Sequence, residues 1–205
     1  MYVLLNSQMR NIMDKFFNFF KPFFDYIDSG KLFRKPYGWL YAIVAALNLL
    51  FPFFVLFQTI SSGMFKYMGG KYIFVFVLVW IVLLAAGWLS FQLWWNRKSK
   101  VENLTGEGDE FVGIPVFSHL IQTAGEWLGS YIAIVGCLVS LFVSLFLGAE
   151  AGQLSQIPGL SMVMKGSFAG IVLMPLYGFI IIGLSRFIAE QARALAAIAN
   201  NTKKK

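Results

Sequence analysis

The sequence predicts an all-α integral membrane protein: four transmembrane helices, an N-terminal amphipathic interfacial helix, and a cytoplasmic extension of the last helix. Three observations carry this fold class. Hydrophobic residues make up 58% of the 205-residue chain and charged residues only 13%, with 22 Phe. A water-soluble chain of this size carries roughly twice that charged share and could not hide so much apolar surface. Residues 36–65, 72–96, 127–149 and 166–185 contain no Asp, Glu, Lys, Arg or His, and each reaches the roughly 20 residues that a helix needs to cross a bilayer. Helices are the form expected, because lipid offers no hydrogen-bond partner to an open backbone, and the alternation of a transmembrane β-strand is absent. Finally, fourteen of the 17 basic residues fall in the N-terminal segment, the loop between spans two and three, and the C-terminal segment; only Lys66, Lys71 and Lys165 lie elsewhere. The positive-inside rule places both termini in the cytoplasm.

The expected organisation is a 1–35 cytoplasmic or interfacial segment, a 36–190 four-helix transmembrane domain with spans at about 37–61, 72–95, 127–149 and 167–185, and a 186–205 cytoplasmic helix and basic tail. The N-terminal segment is no simple tail. On a helix over 10–28, Ile12, Met13, Phe16, Phe17, Phe19, Phe20, Phe23, Phe24 and Ile27 share one arc, while Asn11, Asp14, Lys15, Asn18, Lys21 and Asp25 fill the other. Such a split marks an amphipathic helix, and its Phe face suits the membrane interface, with packing on the other helices as the alternative. Phe16, Phe20 and Phe23 are expected as interface anchors. Trp39, Trp94, Trp95 and Trp127 fall at the inner ends of spans and are expected to complete an aromatic belt there.

Span one contains Asn48 and Pro52. A proline donates no backbone hydrogen bond, so Pro52 frees the carbonyl of Asn48, and Pro175 in span four frees that of Ile171. These breaks admit two readings: a cavity or ligand site built on freed carbonyls, or kinks whose polar groups neighbouring helices satisfy. Residues 98–110 (KSKVENLTGEGDE) have the composition of a flexible acidic turn. Residues 111–127, which follow, read either as a short interfacial helix after Pro115 or as an inward extension of span three. Span three carries Gly136, Ser140, Ser144 and Gly148, four apart and therefore on one helix face. Span four carries Gly166, Gly170 and Gly178. In lipid no hydrophobic drive joins helices; close backbone approach and hydroxyl hydrogen bonds do. These small residues are the expected helix-packing interface, between spans three and four or against another protein. Beyond Arg186, an alanine-rich amphipathic pattern continues span four as a helix, with Arg186 and Glu190 spaced for an i,i+4 pair.

The chemistry-bearing residues exclude more than they assign. The spans hold no ionisable group, which argues against proton- or sodium-coupled transport. His119 and Glu126, seven apart, are too few for a metal site and read as the solvated edge of an interfacial helix. No P-loop, zinc motif, nucleophile elbow or paired intramembrane acid occurs, so no enzyme, cofactor or metal is expected. The lone Cys137 reports nothing about redox compartment. The net charge of +7 reads as topology and attraction to anionic headgroups, not nucleic-acid binding.

Two stretches carry a resemblance. FFKPFFDYIDSGKLFRKPYGWLYAI (19–43), with its Phe-rich FF-x-x-FFD run and a basic residue and proline before a helix with LY, resembles the entry of a bacterial family of small multi-span membrane proteins of unknown function. RFIAEQARALAAIANNT (186–202), with R-x3-E followed by I-A-x-N, is similar to that family's closing helix. The long middle departs from the shorter family pattern. The resemblance implies a bacterial inner-membrane protein and brings no activity, cofactor or catalytic residue. The function expected is an accessory or scaffold subunit of a membrane complex, or a homo-oligomer, whose partners are membrane lipids, including anionic headgroups, and other subunits or itself. The other reading is a channel or carrier for lipid or another apolar solute; a lined cavity around Asn48 would favour it, and a filled interior the scaffold.

Overall fold

The computed structural model describes residues 18–25, 31–104, 113–148 and 168–203. Among them lie α1 (18–25), α2 (Lys31–Ser61), α3 (Gly70–Glu102), α4 (Gly113–Phe146) and α5 (Phe168–Lys203), with a short 3-10 turn at Met64–Lys66 and no strand. The four longer helices are each long and apolar enough to span a bilayer. The chain is thus an all-α, multi-pass membrane protein. Phe19, Phe20, Phe23 and Phe24 of α1 are all exposed; Phe16 lies outside the described residues.

The helices outrun the membrane. At 1.5 Å per residue, the 33, 34 and 36 residues of α3, α4 and α5 extend about 50 Å, against a hydrocarbon thickness of about 30 Å. The excess lies at the end that carries Arg97, Glu126 and Arg186, called here the basic end. Residues 113–127 belong to α4 without a break. They extend span three toward the basic end instead of forming a separate helix. Pro115 is compatible with this because it sits within the first turn, where backbone N–H groups have no helical acceptor to lose. The turn expected at 98–110 starts later than its composition suggests: α3 continues through Glu102 and closes where Asn103 N–H donates to Lys100 C=O.

α2 and α3 are joined by a tight turn in which Gly63 adopts φ 68°, a left-handed conformation that disfavours a side chain. Neighbouring helices run antiparallel, and α2 and α4 run parallel to each other beside α3. Val55, Val75, Val79, Val139 and Val143 form the apolar centre within the membrane. Tyr41, Ala45, Trp94, Val101 and Val116 form a second centre at the basic end. The four spans do not close round one shared core. α5 packs along α4 and is the least buried of the four. Small residues on both helices explain why those two meet so closely.

Candidate functional site

The α4–α5 seam is built from glycines. A Cβ on Gly136 would lie 2.7 Å from Met174 Cγ; one on Gly170 would strike the Ser140 hydroxyl; one on Gly178 would strike the Gly129 carbonyl and lie 2.7 Å from Ala133 Cβ. Gly125 meets Ser185 in the same way. Thus Gly136, Ser140, Gly170 and Gly178 face across the seam. The groove also includes Gly125 and Gly129, which the four-residue ladder does not name. Ser144 is half-buried, and its Oγ has no hydrogen-bond partner among the described residues. Gly148 departs from the expectation: it sits past the end of α4 at φ 53°, exposed, with no described residue near its Cβ position. It ends the helix instead of packing it, because only a residue without a side-chain penalty reverses the chain there cheaply. Gly166 lies outside the described residues.

The break at Pro52 is filled. Pro52 is buried against α3, and the Asn48 carbonyl it releases lies where a Cβ on Gly87 would be 2.8 Å away. Gly87 is the residue that lets that carbonyl approach. Trp80 Nε1 donates to the Pro52 carbonyl at 3.0 Å. The Asn48 side chain donates to Val44 C=O at 2.8 Å and accepts from Trp127 Nε1 at 2.9 Å. Pro175 is exposed on α5. A cleft of about 250 Å³ opens between α3 and α4, lined by Ala86, Leu93, Trp127, Ser130, Tyr131 and Ile134 among others. It is smaller than the roughly 300–1,000 Å³ typical of ligand pockets.

The tryptophan belt divides. Trp39 and Trp95 are exposed. Trp94 is only 3% exposed and stacks edge-on against Tyr41 and Trp127. Trp127 is half-buried and bonded to Asn48. These two serve the interior, because at 100° per residue the faces of adjacent residues diverge even at equal depth.

The largest correction concerns Glu126 and His119, which are not a solvated edge. Glu126 is 5% exposed. Arg97 of α3 donates through Nη2 to its Oε2; Arg186 of α5 donates through Nε to its Oε1 at 2.6 Å; Gln122 adds a bond at 2.9 Å. Arg186 thus pairs across helices with Glu126, not with Glu190. Arg193 Nη2 donates to Gln122 Oε1 at 2.8 Å. Towards α2, Arg97 Nη1 donates to Thr123 Oγ1 at 3.2 Å. The Tyr41 hydroxyl lies 3.2 Å from that same oxygen and 2.8 Å from His119 Nδ1. One connected network therefore ties α2, α3, α4 and α5. Two guanidiniums neutralise one carboxylate, which a buried acid requires. Arg193 and Lys100 lie close enough to act electrostatically on His119. Among the described residues no group of three metal-ligating side chains comes together.

Sequence reasoning missed this cluster because its members lie far apart in the chain. One signal was available: Glu126 sits one turn from Gln122, and Arg97 and Arg186 each stand at the basic end of an otherwise uncharged span.

Fold and site together define a class: a multi-pass α-helical membrane protein whose spans meet in a polar, basic cluster at one end. Compared with protein-family models, curated proteins and solved structures, the chain matches none.

Proposed function

We infer that the protein is a non-enzymatic accessory or scaffold subunit of a membrane complex, or a homo-oligomer, in a bacterial inner membrane with both termini cytoplasmic. The orientation rests on the excess of basic residues at one end, and the bacterial setting on the resemblance at the two ends of the chain. One observation carries the role: the outer face of α5. Leu184, Phe187, Ile188, Leu195 and Ile198 form a stripe along it, and each is more than half exposed. About 15 residues of α5 extend past the roughly 20 that the hydrocarbon accommodates. Lipid therefore covers the first part of the stripe but not Leu195 and Ile198. An apolar ridge that continues out of the bilayer suits contact with another polypeptide.

The carrier reading has less support. The Asn48–Pro52 break is packed by Gly87 and Trp80, and the α3–α4 cleft is open and small. The test is photo-crosslinking in native membranes from positions 187 and 195. Cross-links to a second copy or to one recurrent membrane protein are the expected result. Cross-links to lipid alone, with a monomer after mild-detergent purification, would overturn the reading.

A further inference from the structure

We propose that the basic end holds a phosphate-binding site in which Arg186 and Arg193 grip an oxyanion, supplied either by an anionic phospholipid headgroup or by free phosphate. The proposal does not depend on the accessory-subunit reading. It starts from unused donors. Arg186 spends only Nε on Glu126; its two terminal nitrogens have no hydrogen-bond partner among the described residues, and its side chain is 56% exposed. Arg193 bonds Ala189 C=O through Nε and Gln122 through Nη2, and no acid among the described residues pairs with it. Glu126 and Gln122, bonded to each other at 2.9 Å, join the two guanidiniums through one short chain of hydrogen bonds. The forks are therefore held in place before any ligand arrives. A preorganised guanidinium fork matches the geometry of a phosphate better than a mobile lysine does.

Charge points the same way. Arg97 and Arg186 bond Glu126 directly and Arg193 reaches it through Gln122; Glu190, exposed one turn from Arg186, forms no ion pair among the described residues. Among the described residues, three guanidiniums thus share one buried carboxylate. A partly buried surplus of this kind attracts anions more strongly than a solvated one. Depth agrees too. The uncharged run 166–185 ends at Arg186, after about 20 residues or roughly 30 Å of helix. That places it at the edge of a hydrocarbon core about 30 Å thick, where lipid phosphates begin. Arg193, two turns on, reaches into the headgroup layer.

The test uses the full chain in mild detergent. Phosphatidylglycerol, phosphatidylcholine and inorganic phosphate are titrated separately, with thermal unfolding and native mass spectrometry as readouts. Saturable stabilisation and retention of phosphatidylglycerol but not phosphatidylcholine is the expected result and assigns a lipid source. Saturation by inorganic phosphate that competes with phosphatidylglycerol assigns a free one. Arg193→Gln removes no partner of the buried carboxylate, so it should fold; its affinity should fall roughly tenfold. Arg186→Lys keeps the charge but loses the fork, and should weaken binding while preserving the preference for phosphatidylglycerol. Equal responses to both lipids with no effect of phosphate, or an Arg193→Gln protein that binds as tightly as wild type, would overturn the proposal.

Discussion

Gly178→Ala is a sharp test of how α4 and α5 are held together. The new methyl would strike the Gly129 backbone carbonyl and lie 2.7 Å from Ala133 Cβ. Non-bonded carbons prefer about 3.5–4.0 Å, so clearing Ala133 alone requires the helices to separate locally by about 1 Å. The obstacle is backbone on one side and a methyl with no rotamer on the other, so neither can swing away. A gap of that size forfeits about a quarter to a half of each nearby dispersion contact, and overpacking of this kind costs about 1–3 kcal/mol. Alanine also favours the helix over glycine, by roughly 0.5–1 kcal/mol. Gly183→Ala isolates that gain, because a Cβ there meets no described residue within 4 Å. The assay is reversible unfolding of the purified protein in mixed micelles, titrated with a denaturing detergent. Gly183→Ala should match or exceed wild type, while Gly178→Ala should fall below Gly183→Ala by about 1–3 kcal/mol. If the two variants are equally stable, close backbone approach does not hold this seam and the packing argument is wrong.

Three further outcomes are expected. Glu126→Gln leaves Arg97 and Arg186 without their shared carboxylate, and removing one partner of a buried pair typically costs about 3–5 kcal/mol; a double-mutant cycle with Arg97→Gln in the same unfolding assay should show strong coupling, and independent effects would mean the ion pair is incidental. Cysteines placed at Ser99 and at Ser155 should label from opposite faces of the membrane, and labelling from one face would overturn the orientation drawn from the basic residues. Phe16→Glu with Phe20→Glu should release the N-terminal helix from the interface and raise its protease sensitivity in inside-out vesicles, since each buried Phe contributes about 1.5–3 kcal/mol; unchanged protection would mean that something other than lipid holds that face.

The sequence by itself determined depth. Number of spans, their uncharged composition, the helix running on beyond Arg186, and the gathering of basic residues at one end are all properties of position along the chain. A bilayer imposes a one-dimensional polarity profile, so composition along the chain reads directly as height in the membrane. Part of the packing was legible for the same local reason: Gly136, Ser140, Gly170 and Gly178 recur at a helical period that puts small side chains on one face of each helix. What only the tertiary structure decided is azimuth, which neighbour each face meets. Trp94 and Trp95 stand at the same depth, yet one is 3% exposed and the other 49%. Gly148 shares the period of Gly136 and Ser140 but falls where α4 ends. Pro52 announces a broken hydrogen bond, while whether a cavity forms there depends on Gly87 and Trp80 of another helix. Glu126 is the clearest case. In sequence it is a lone acid in an amphipathic stretch, and water is its ordinary partner. In the fold, Arg97 lies 29 residues before it and Arg186 lies 60 residues after it, and both replace water around it. Composition can say that a charge needs a partner, but only the packing of α3 and α5 against α4 supplies one.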